Sequence, residues 1–207
     1  MTESLYHFVL SGALLGLTAG ISPGPLLTLV IAQTIRHNRT EGIKVALSPL
    51  ITDLPIIAMA FLLYTRLSGF DTVLAIIAFA GGIFVAHLGI DTLRSRGIDP
   101  ELKEENPGSM KRGIMANFLS PHAYIFWATV GTPILFRAYE LSILSAILFL
   151  GSFYTLLVGS KIIIAILVAR SKAVLNQKIY MIIMRILGII LLCFSLLFFY
   201  EGIKYLK

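Results

Sequence analysis

Long apolar runs separated by short polar connectors set the pattern of this chain. The runs cover about 5–35, 45–65, 72–93, 113–136, 141–169 and 179–200, each long enough to cross a hydrocarbon core of about 30 Å as a helix. The pattern predicts an all-α integral membrane protein of about six transmembrane helices. Only the connector from Arg94 to Arg112 is long and mixed in charge, and it reads as a solvated cytoplasmic linker. It divides the chain into a first three-span repeat at 1–93, the linker at 94–112 and a second three-span repeat at 113–207.

Six of the eight prolines fall inside these runs. Gly20-Ile21-Ser22-Pro23-Gly24-Pro25 in span one joins two prolines to flexible glycines, so regular helix can hardly continue there. Phe118-Leu119-Ser120-Pro121 in span four repeats its Ser-Pro 98 residues later. Because three spans precede the second copy, that half is turned upside down in the membrane. The expected architecture is therefore two inverted three-helix repeats with helices one and four broken, a plan used by secondary transporters. Half-helix ends and freed carbonyls at such breaks suit a zwitterionic substrate or a coupling ion, which makes Gly20, Ser22, Pro23, Gly24, Pro25, Ser120, Pro121 and His122 candidates for the transport path. Pro49, Pro55 and Pro133 read as structural kinks.

Composition agrees with lipid as the solvent. The chain is 57% hydrophobic and 14% charged, with a mean hydropathy of +0.88, against about 25% charged residues in soluble domains. The net charge of +6 lies in connectors and forms no continuous basic face, which argues against nucleic acid as a partner. Eleven Lys and Arg residues flank connectors one, three and five, among them Arg36, Arg39, Lys44, Arg112 and Arg170. Only Arg66, Arg137, Lys204 and Lys207 lie on the other side. Basic residues near span ends stay in the cytoplasm, so both termini are expected outside a prokaryotic cytoplasmic membrane. The opening Met1-Thr2-Glu3-Ser4 lacks a basic signal region, and the first run reads as a retained span. The single Cys193 excludes an intramolecular disulfide, and a buried structural thiol is expected. No nucleotide loop or His-Glu-x-x-His motif appears, so no cofactor, metal or enzymatic site is expected. The partners expected are a small-molecule substrate, the lipid bilayer and a second copy of the chain.

Charged residues inside the runs carry the sharpest hypotheses. Asp53 lies about eight residues into span two and Lys161 about eight from the inner end of span five, each roughly 12 Å deep. An intramembrane carboxylate costs at least about 2.5 kcal/mol unless a cavity or partner offsets it. Asp53 and Lys161 are thus the candidates for ion coupling, against the reading of a buried structural ion pair. Arg185 is expected to snorkel. His122 suits a proton relay or a packing role, whereas His87, His7 and His37 read as packing or solvated residues. Gly12, Gly16, Gly81, Gly82 and Gly89 have small-residue spacing for close helix approach. Tyr124, Phe126 and Trp127 read as packing residues first and passage-lining residues second.

Taken in order, these residues resemble the lysine-exporter, or LysE-type translocator, superfamily, including its homoserine and threonine exporters. Gly16 through Pro23-Gly24-Pro25 is similar to that family's Gly-x-x-Pro-Gly-Pro signature, and Gly42 precedes a second span with an aspartate, here Asp53. Span three ends in Gly89-Ile-Asp-Thr-Leu-Arg94, and Gly113 to Phe126 resembles the Gly-x-x-x-Asn-x-x-Asn-Pro-Lys segment, with Asn117 retained. The chain departs from the pattern at Ser120-Pro121-His122 and at Ser48-Pro49. The resemblance implies secondary active export of amino acids or similar small zwitterions driven by an ion gradient, and the intramembrane Asp53 makes the proton the expected ion. It also implies that the breaks and Asn117 lie near the transport path. Export of an inorganic ion or other small solute, and a non-transporting membrane scaffold, are the alternatives.

Overall fold

A computed structural model describes residues 2–64, 70–94, 107–172 and 176–206. Helix α1 (Thr2–Ile21) and helix α2 (Pro25–Arg36) meet at a bend of 59°. The cause is local. Pro23 and Pro25 have no N–H to offer the carbonyls four residues back, so α1 ends. Pro25 then opens α2 at its first position, where an N–H is not needed.

The same logic sets other boundaries. Asn38 caps α3 (Arg39–Ala46), its side chain accepting from the Thr40 and Glu41 amides at 2.9 and 3.2 Å. Pro49 begins α4 (Pro49–Tyr64), so the kink expected there is a helix start, and span two is divided at Leu47-Ser48. Gly108, at φ 61°, adopts a left-handed turn that favours glycine and leads into α6 (Ser109–Phe118). The end of the expected linker, Ser109 to Arg112, is thus already helical. Pro121 begins α7 (Pro121–Phe126), which runs through a π-helical turn at Trp127–Gly131 into α8 (Thr132–Leu141). The wide turn directly precedes Pro133, whose missing N–H leaves the Thr129 carbonyl without its usual donor. Among the described prolines, Pro55 alone sits in the interior of a regular α-helix and not at its start or at a break.

The proline-free spans are continuous: α5 (Phe70–Leu93), α9 (Ile143–Lys172) and α10 (Gln177–Tyr205). By length and composition, four helical stretches of the described residues are candidate spans, or up to five if α1 and α2 are taken as one bent span. The fourth run of the sequence is not among them, because the Leu119-Ser120 break divides it. The chain is an all-helical, multi-pass membrane protein. Residues 95–106 of the linker and connector 65–69 lie outside the described residues.

Two close helix pairs organise the packing. Gly12, Gly16 and Gly20, four residues apart on α1, face the carbonyls of Phe149, Phe153 and Leu157, four apart on α9, so the two helices run parallel in close contact. Any Cβ on these glycines would collide with α9. The opposite face of α1 exposes Tyr6, Leu10, Leu14, Leu17 and Ile21. α5 runs antiparallel to α10, Gly82 meeting Phe199, Gly89 meeting Leu192 and Gly188 meeting Leu93. Its outer face exposes Ile76, Ile83 and Ile90, seven apart. Apolar stripes of this extent belong against lipid.

Cys193 corrects an expectation: it is exposed on the same outward side of α10 as Ile186, Ile189 and Leu196, three or four residues apart, and is not buried in the protein. Arg185, His7 and His87 are likewise exposed, and none of them lines the cavity described below. At the end of the molecule where α2 finishes and α6 begins, Asp91 Oδ2 accepts from Arg36 at 2.9 Å and from Arg112 at 2.8 Å. Ser109 donates to buried Gln33 at 3.0 Å beside them. These bonds fasten α2, α5 and α6 together.

Candidate functional site

The two proline breaks face a common cavity of about 300 Å³. Ser22, Pro23, Gly24 and Pro25 line it from the first break, and Ser120 and His122 from the second. Asp53, Asn117 and Lys161 complete its polar surface. Two residues expected at the site stand behind it. Gly20 is packed against Ser160 and Leu157 of α9, while Pro121 is buried at the start of α7.

Lys161 is 3% exposed, and its ammonium donates to the Ala19 carbonyl at 3.0 Å and the Gly20 carbonyl at 2.9 Å. The sequence accounts for this contact. The helical partner of the Ala19 carbonyl would be the N–H of residue 23, a proline, and the partner of the Gly20 carbonyl would be Gly24, already past the break. Lys161 supplies both donors and sets a cation at the negative end of α1. Two of the carbonyls freed by the first break, those of Ala19 and Gly20, are therefore held by the protein itself.

The second break has a matching device. The Phe118 carbonyl, whose helical partner would be the N–H of His122, already past the break, accepts from the Tyr124 hydroxyl at 2.9 Å. Phe118 and Gly20 are 98 residues apart, and each lies three residues before its proline. Tyr124 is thus a buried capping residue, while Phe126 and Trp127 line the cavity together with Phe153, their rings stacked or edge-on at 5.4–5.5 Å.

Asp53 is 4% exposed and sits in the second turn of α4. Its Oδ1 accepts from the Asn117 amide at 2.9 Å and its Oδ2 from the Tyr154 hydroxyl at 3.3 Å. Asn117 uses its second N–H on the Thr52 hydroxyl at 2.6 Å, so α6 clamps this part of α4 through one side chain. Both donors to the carboxylate are neutral, and the Lys161 ammonium directs two of its three N–H groups to backbone carbonyls. The buried acid and the buried cation share a cavity, yet neither is the other's hydrogen-bond partner.

Thr52 and Tyr154 are the site residues that pattern reading missed. Tyr154 precedes Lys161 by seven residues, two turns on one face of α9, which is the signal that pairs them. Glu201, on α10 beside His122 at 3.6 Å, was also missed, because it sits at the boundary of the last apolar run.

A bundle of long apolar helices around a proline-broken cavity that carries a few polar groups defines the class as a multi-pass membrane protein. The model of the LysE type translocator family matches residues 17–202. The chain belongs to that family, which is a family of transporters and not of enzymes. No curated protein and no solved structure matches the chain.

Proposed function

We propose that this protein is a secondary active exporter of amino acids or similar small zwitterions in a prokaryotic cytoplasmic membrane, driven by an ion gradient, and that the ion is the proton. The observation that carries the reading is the cavity between the two breaks, with a carboxylate and an ammonium on its wall that are not bonded to each other. A zwitterion offers the complementary pair of charges. Its ammonium would face Asp53. Its carboxylate would face Lys161 and the N-terminal amides of α2, where Leu26 and Leu27 line the wall and Pro25 has no N–H to give. A volume of about 300 Å³ is at the small end of ligand sites and suits one amino acid. The aromatic wall of Phe126, Trp127 and Phe153 offers no second acid to a basic side chain, which favours neutral substrates of the homoserine and threonine kind over lysine.

Asp53 takes the coupling role because its partners are neutral donors. No cation hydrogen-bonds to it, and although the Lys161 ammonium on the same wall acts on it at longer range, the carboxylate can be met either by a proton or by the substrate's ammonium, and competition between the two links their movements. An inverted repeat would supply the two facing states. It is supported by the Ser-Pro breaks 98 residues apart and by the side-chain donor at the matching carbonyl of each. The pairing of α1 with α9, answered by α4 against α6, α7 and the π-helical turn, supports it too.

The test is efflux from cells preloaded in turn with labelled L-threonine, L-homoserine, L-leucine and L-lysine, with and without the protein and with and without a protonophore. At least one neutral amino acid is expected to leave faster with the protein and to lose that advantage with the protonophore. Efflux indifferent to both the protein and the gradient would sink the reading.

A further inference from the structure

Glu201 is on the last turns of α10, four residues from its end, and belongs to none of the contacts described for the cavity. Its Oε1 lies 3.6 Å from His122 Nδ1, and its Oε2 is buried without a hydrogen-bond partner. His122 in turn lines the cavity directly after the second break, with its ring edge-on to buried Phe198 at 5.8 Å. One imidazole therefore touches the cavity on one side and an acid of the last helix on the other. The groups that face Glu201 are His122 of α7 and Tyr205 of its own helix, and Tyr205 also interacts with Asp71 of α5. Lys204 is three residues along the same helix and exposed, and among the described residues no Lys or Arg forms an ion pair with Glu201.

We propose that His122 and Glu201 form a second protonatable site, separate from Asp53, that carries protons between the cavity and the membrane face at which α10 ends. The direction of use rests on the export reading, which with the basic-residue asymmetry makes that face the outer one. The step is a simple transfer. Protonated His122 gives its Nδ1 proton to the Glu201 carboxylate, leaving a neutral ring and a neutral carboxyl, and Glu201 exchanges that proton with water at the helix end. A distance of 3.6 Å is just beyond a hydrogen bond, and a small turn of either side chain closes it.

The experiment is an infrared pH titration of the purified protein in lipid vesicles without any amino acid present. A protonated-carboxyl band is expected that Glu201→Gln removes and whose midpoint His122→Gln moves by about one pH unit, as coupled groups require. Bands unchanged by Glu201→Gln, or a Glu201 midpoint unmoved by His122→Gln, would overturn the proposal. In the same vesicles, gradient-driven transport of the neutral amino acid that the wild type moves best is expected to fall about tenfold in Glu201→Gln. Exchange at equal pH should stay within twofold, and Glu201→Asp should recover part of the loss. Equal loss of both transport modes would assign Glu201 a structural role and overturn the passage. The spectroscopic arm needs no substrate, so a wild type that moves no amino acid would count against the export reading alone.

Discussion

Lys161 holds two carbonyls from the far end of the sequence, Ala19 and Gly20, which the Pro23 break leaves without helical partners. Its removal therefore acts on folding as well as on charge. Lys161→Met is expected to cost about 1–3 kcal/mol, the penalty for leaving buried groups unsatisfied, seen as a lower melting temperature in detergent; an unchanged melting temperature would contradict the capping role. Tyr154→Phe removes one long hydrogen bond to Asp53 and little packing. A loss of about 1 kcal/mol, or roughly fivefold in gradient-driven transport rate, is the expected outcome in vesicle assays, with abundance unchanged. Asp53 and Lys161 were legible in the sequence because a charge inside an apolar run is conspicuous. Their partners were not: a hydroxyl such as Thr52 or Tyr154 looks the same whether it meets a carboxylate or its own helix, and the Asp53–Tyr154 contact joins residues 101 apart.

At the scale of the helices, the breaks follow from proline chemistry and were readable, whereas the division of span two at Leu47-Ser48 and the π-helical turn before Pro133 were read only as kinks. A proline shows that a hydrogen bond is lost; the neighbouring helices decide whether the chain bends, stops or widens. Pro23→Ala tests this directly. Alanine restores an N–H that can reach the Ala19 carbonyl, competes with Lys161 and straightens the junction of α1 and α2, so transport should fall more than in Pro55→Ala at equal membrane abundance. The glycines separate packing from passage. Gly16→Leu drives a side chain into the Phe153 carbonyl and is expected to lower the yield of folded protein sharply. Gly24→Ala should fold as the wild type does, since its Cβ meets nothing within 4 Å and its φ of −165° is ordinary extended backbone. Both are read from monodisperse protein after detergent extraction. The expectation for Cys193 failed for a related reason: hydrophobic surroundings in this chain mean lipid as often as core, and periodicity along a helix that is apolar on every side does not separate the two.

Across the whole molecule, the parallel pairing of α1 with α9 and the antiparallel pairing of α5 with α10 are those that six alternating crossings would require, and the proposed orientation follows from the basic-residue asymmetry. With Cys193 replaced, Thr40→Cys should resist an impermeant thiol reagent in intact cells and Glu140→Cys should react. The opposite pattern would reverse the topology. The central claim is that one buried carboxylate, held by neutral donors at the cavity between two broken helices, couples solute movement to the proton gradient. The most direct measurement compares the wild type with Asp53→Asn in vesicles, following both gradient-driven transport and exchange of the neutral amino acid that the wild type moves best. Asparagine keeps the shape and much of the hydrogen bonding but cannot ionise. The account predicts that gradient-driven transport is abolished while folding and a substantial part of the exchange persist; uphill transport by Asp53→Asn at the native rate would contradict it.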